Sequence, residues 1–184
     1  MMPLIGVSAN SVTSRLRNGY KWYDTPRNIY FNCDFETAER EAVRAAMNTW
    51  NEVKDPDNND MVSMFLTTDY TSNSVIRATS YSGWIGYWDK VAIGDEILSV
   101  TIKIASNEDW STTGAEDAYD VQTVVLHELG HALGVAHCHE SSEGEGSCWS
   151  ATCSTNVMNP LGRKGRINTT LKEYDTASYI IIYW

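Results

Sequence analysis

Residues 127 to 137, His-Glu-Leu-Gly-His-Ala-Leu-Gly-Val-Ala-His, constrain this chain more than any other stretch, because few local geometries bring their polar side chains to one point. On an α-helix, residues four apart lie one above the other, about 5.4 Å along the axis, so His127 and His131 can turn their imidazoles towards a single ion. A catalytic zinc takes three protein ligands and keeps a fourth position open for water. Gly134 makes the third available: a glycine at a helix end adopts the left-handed conformation and turns the chain sharply, folding His137 back towards the same ion. Glu128 sits beside His127, within reach of a zinc-bound water without being a ligand. Zinc lowers the pKa of that water towards about 7, so a carboxylate is a sufficient general base. A bare His-Glu-x-x-His occurs in helices of unrelated proteins; Gly134 and His137 are what make the pattern specific. His139, two residues further on, reads as a surface side chain.

The 184 residues suit one domain with a substantial core. A net charge of -10, without clustered Lys and Arg, excludes a partner approached through phosphates, so no nucleic acid is expected. No apolar run approaches the roughly 20 residues that cross a bilayer, so no membrane partner is expected either. MMPLIGVSAN lacks a basic n-region and is not a complete secretory signal. Cys33, Cys138, Cys148 and Cys153 form an even count, three of them crowded together, which suits two disulfides in an oxidising, extracellular setting. Four buried free thiols are the alternative.

Periodicity supplies the elements. NIYFNC reads as a strand, residues 36 to 53 as an amphipathic helix, and MVSMFLTT and SVIRATS as two further strands. Leu98, Val100, Ile102 and Ile104 alternate with Ser99, Thr101, Lys103 and Ala105, marking a strand with one buried face. A helix from Asp117 to Leu133 has Asp120 as a cap, and a last helix is expected to start with Thr170 as N-cap and Glu173 closing a capping box, burying Leu171, Tyr174, Ala177 and Ile181. DPDNND, at residues 55 to 60, has alternate acidic residues but lacks the glycine and glutamate of a calcium loop and reads as a solvated turn. Calcium binding stays open. The element order suits an α+β domain.

The eleven-residue segment resembles the long zinc signature of the metzincins, whose second hallmark is a methionine turn beneath the metal; Asn156-Val157-Met158-Asn159-Pro160 supplies one. Pro160 after Met158, the Asn107-to-Ser111 stretch and the terminal helix are most similar to the matrixins. That resemblance implies a single catalytic domain, residues 1–134 forming an upper subdomain and 135–184 a lower one. The upper part holds a twisted, mostly parallel sheet with an antiparallel edge strand, and the whole has three helices. It implies a zinc endopeptidase with Glu128 as base, His127, His131 and His137 as ligands of one zinc, and Met158 as structural floor. The expected partner is a protein or peptide substrate, and the protein is expected to be a secreted monomer. The edge strand over the cleft is expected at Gly83-Trp84-Ile85-Gly86-Tyr87-Trp88, with a buried aromatic cluster as the alternative for those rings. Pro160-Leu161-Gly162 is expected to wall the pocket for the residue after the scissile bond. Pro160 stands where some relatives have a tyrosine ligand, so no such ligand is expected, nor a second zinc held by further histidines. The insertion from His137 to Met158 suits one or two disulfides, with a cysteine-bound zinc as the alternative.

Overall fold

The computed structural model describes residues 16–138, 153–160 and 162–184. Five strands, β1 (Arg27–Cys33), β2 (Val62–Leu66), β3 (Asn73–Ala78), β4 (Gly86–Ile93) and β5 (Glu96–Ala105), form one sheet in the order β2-β1-β3-β5-β4. The pairs β1/β2, β1/β3 and β3/β5 are parallel, and β4 runs antiparallel to β5 along the edge. With helices α1 (Thr37–Asn51), α2 (Val121–Ala132) and α3 (Glu173–Tyr183) this is the expected α+β architecture. A short pair, β6 (Trp110–Ser111) and β7 (Tyr119–Asp120), leads into α2.

The apolar face of α1, with Val43, Ala46, Met47 and Trp50 fully or almost fully buried, packs on the sheet and on α2. Trp50 donates its indole N–H to Leu126 O at 2.9 Å, so the largest side chain of that face is also hydrogen-bonded. The free edge of β2 is blunted by side chains. The Asn51 amide pairs with both the N–H and the C=O of Met64, each at 2.8 Å, and the Tyr179 hydroxyl does the same for Val62, each at 2.9 Å.

Several boundaries differ from expectation. In β5 a bulge opposite Val91 and Ala92 shifts the register, so Ile97 is 0% exposed while Leu98 is 39% exposed; the strict alternation stops at Val100. Helix α2 starts at Val121, later than Asp117, because Asp120 caps it by accepting the Thr123 N–H at 2.7 Å and the preceding residues belong to β7. The last helix is capped by Asp175, which accepts the Lys172 N–H at 2.8 Å, not by Thr170 and Glu173. The later start rotates the buried stripe to Asp175, Ser178, Tyr179 and Ile182 and leaves Ile181 exposed. At residues 55–60 the Asp55 carboxylate accepts the N–H groups of Asp57 and Asn59 at 2.9 and 2.7 Å, a self-bonded turn.

Cys33 is a free thiol, so the four cysteines do not close two internal disulfides. The fold separates it from Cys138: β1 carries Cys33 to a hollow with Arg40 and Leu66, whereas Cys138 sits beside Met158, to whose carbonyl its N–H donates at 3.0 Å. Cys148, His139, Leu161 and the Cys153 side chain lie outside the described residues. No helix among those described is long and apolar enough to cross a membrane.

Candidate metal centre

Helix α2 places His127 and His131 one turn apart, and its C-terminal turn delivers the third imidazole. Gly134 adopts φ +88°, and a Cβ there would meet Tyr20 O at 2.3 Å, so neither the bend nor the close approach of residues 16–22 tolerates a side chain. That segment satisfies carbonyls at the helix end: Asn18 donates to His131 O at 2.8 Å and Trp22 to Ala132 O at 2.9 Å.

The three Nε2 atoms converge. His131 and His137 bring theirs within 2.9 Å, and His127 and His137 within 3.2 Å. Zinc–nitrogen bonds of about 2.0–2.1 Å in a tetrahedron separate the nitrogens by roughly 3.3 Å, so the cluster is close to ligand spacing. The other ring nitrogens fix the tautomers. His127 Nδ1–H donates to Val157 O and His131 Nδ1–H to Val135 O, both at 2.8 Å, which leaves each Nε2 lone pair facing the common point. Burial pushes His127 down to about 4 and His131 well below the usual imidazole range, so both rings are neutral, the form a metal binds. Among the described residues these three histidines form the group able to hold a metal ion.

Glu128 lies buried in the same cleft, its carboxyl pushed up to about 8 by burial. The space for it comes from the edge strand, since a Cβ on Gly86 would stand 2.5 Å from Glu128 Oε1. Beneath the histidines Met158 is fully buried against Gly130, where a Cβ would be 2.3 Å from its sulfur. Asp175 holds this turn, accepting the Val157 and Met158 N–H groups at 3.0 and 3.1 Å, and Tyr174 donates to His137 O at 3.0 Å. Val157 thus joins α3 to His127: its N–H donates to Asp175 and its carbonyl accepts from the imidazole.

Residues 83 to 88 line one side of the cleft, as the edge-strand reading expects, although the strand proper begins at Gly86 and continues to Ile93. Their rings do not simply fill the core, although Trp88 is partly buried against it. Tyr87 is 48% exposed, and Trp88 stacks on His131 with centroids 6.2 Å apart. Pro160 and Gly162 line the opposite side. The sequence reading missed Gly86, Gly130, Asn18 and Asp175. Only Gly130 carried a visible signal, a helix-weakening residue inside the histidine motif.

Residues 30–144 match the family model described as matrixin. The matched stretch includes all three histidines and Glu128 and ends before Met158. No curated protein matches the chain.

Proposed function

This chain belongs to the matrixin family, a peptidase family whose members use zinc, and from that we propose that it is a secreted zinc endopeptidase with Glu128 as general base and His127, His131 and His137 as the metal ligands. The carrying observation is the convergence of three imidazole Nε2 atoms beside the buried Glu128 carboxyl, in a cleft bordered by a sheet edge. The donor set, three imidazoles of which His127 and His131 have carbonyl-fixed tautomers, suits zinc. Bound there, zinc supplies Lewis acidity and makes water acidic enough to attack near neutral pH.

The chain's own residues do the rest. The outer edge of β4 offers main-chain donors and acceptors for an extended peptide, fixing its direction and setting one carbonyl against the histidines. Glu128 takes the proton of the attacking water and passes it to the leaving amine. Its acidity, weakened by burial, suits it to hold that proton between the two transfers. Met158, packed on Gly130, keeps the histidine turns at one spacing.

The same proposal divides the single domain near Gly134, into an upper part up to that residue and a lower part after it, and takes the protein as a monomer. The extracellular reading goes with an oxidising setting, in which a disulfide at Cys138 would form. Digestion of a mixed peptide library by the zinc-loaded protein, beside Glu128→Ala, discriminates three activities. Internal cleavage seen only with Glu128 supports the endopeptidase. Turnover confined to non-peptide amides points to another hydrolase, and zinc binding without Glu128-dependent cleavage to a binding module.

A further inference from the structure

We propose that Trp88 is a positioning residue for the ligand His131, held in that role by Tyr20 and Lys90, so that metal retention depends on a stack running from the site to the strap at residues 16–22. The inference rests on the ligand assignment above and not on peptide hydrolysis.

The Val135 carbonyl takes the His131 Nδ1–H at 2.8 Å, which fixes the tautomer. A single hydrogen bond still lets an imidazole swing about the N–H···O axis, and a swing carries Nε2 away from the point that the three histidines share. Stopping it takes a surface laid along the ring. The other two imidazoles cross His131 steeply, at 90° for His127 and 77° for His137. Trp88 lies along it instead: the two rings are 23° from parallel with centroids 6.2 Å apart, within the range of offset aromatic stacks.

Trp88 is itself fixed from several directions. Its backbone pairs with Ile102 in the β4/β5 ladder. The Tyr20 ring meets it edge-on at 72°, with centroids 6.2 Å apart. Lys90, two residues along β4 and so on the same face, sets Nζ 4.4 Å from the centre of the Trp88 ring and 3.9 Å from that of Tyr20. The ammonium thus joins the two rings through their electron-rich faces. Tyr20 also reaches His131 by a second route. Its N–H donates to Asn18 Oδ1 at 3.1 Å, and the Asn18 amide donates to His131 O at 2.8 Å. The strap therefore holds the backbone of this ligand through Asn18 and its ring through Tyr20 and Trp88.

The test reads metal binding with no substrate present. Zinc affinity is measured by chelator competition, and the visible spectrum of the cobalt(II)-loaded full chain reports the ligand geometry. Trp88→Leu is expected to lower zinc affinity about tenfold and to alter the cobalt spectrum, as loss of a group that orients a ligand does. Trp88→Phe restores most of both, and Lys90→Met costs about threefold, the size of one cation–ring contact. Melting curves of the metal-free variants separate folding from positioning. A Trp88→Leu protein that melts lower yet keeps the wild-type zinc affinity and cobalt spectrum makes Trp88 a packing residue and overturns the proposal. Equal losses in Trp88→Leu and Trp88→Phe overturn the stacking role as well. Should Trp88→Leu fail to fold, Lys90→Met decides, and unchanged affinity there overturns the proposal. Zinc binding in the wild type that His137→Ala leaves intact overturns the ligand assignment itself, and the role of Trp88 with it.

Discussion

At the scale of single residues, the glycines of the metal helix carry as much information as its histidines. Gly130 is a poor helix former, and replacing it with alanine on an open helix would gain about 1 kcal/mol. Here the added Cβ would meet Met158 Sδ at 2.3 Å and Trp50 Cζ2 at 2.9 Å, both side chains fully buried. Overpacking of this kind costs about 1–3 kcal/mol, so it outweighs the propensity gain, and Gly130→Ala is expected to lower the melting temperature by several degrees. A variant that melts higher than the wild type would refute the contact. The convergence of the three histidines was legible in the sequence because helical spacing is a local rule and Gly134 marks the turn. Gly86 was not, and Gly130 showed only as a weak helix former, since what they make room for, Glu128 and Met158, arrives from elements remote in sequence.

Elements show where local rules stop. Strands β1, β2, β3 and β5 and helix α1 could be read from periodicity and the antiparallel edge only from the family resemblance, whereas the phase of β5 and of α3 could not be read. A single bulge turned Leu98 outward, and one carboxylate, Asp175, moved the start of the last helix. Asp175 accepts three N–H groups with two oxygens, and an amide has only one acceptor atom to offer them. Asp175→Asn is therefore expected to loosen the methionine turn and weaken zinc affinity by roughly tenfold through the Val157–His127 bond, as read by chelator competition. Unchanged affinity would show that α3 does not position the ligand. Tyr179 gives a second element-scale prediction. Burial holds its phenol protonated above the usual tyrosine range. The neutral phenol's contribution is complete below an ordinary tyrosine pKa of about 10 and falls away as pH rises beyond it, because the unfolded chain ionises first. Tyr179→Phe should flatten the alkaline limb of the stability curve and cost about 1–3 kcal/mol at neutral pH, by leaving both polar groups of Val62 unpaired. Urea melts at pH 7 and pH 11 would show both effects.

For the molecule as a whole, three histidines brought together only by the fold, two of them held neutral by burial, mean that metal binding and folding would be linked. An ion that binds only the native cluster stabilises it by about 2.7 kcal/mol at a hundredfold excess over its dissociation constant. Chelation should accordingly lower the melting temperature of the wild type and of Glu128→Ala alike, and change little in His137→Ala; a drop of equal size in all three would place the stabilising ion elsewhere. The strap at residues 16–22 adds a kinetic corollary. The bonds from Asn18 to His131 and from Trp22 to Ala132 span 113 and 110 positions, and loops that long close late in folding. The ligand helix is therefore finished only when distant parts of the polypeptide have come together, so a half-made chain emerging from the ribosome has no competent centre with which to cut its neighbours.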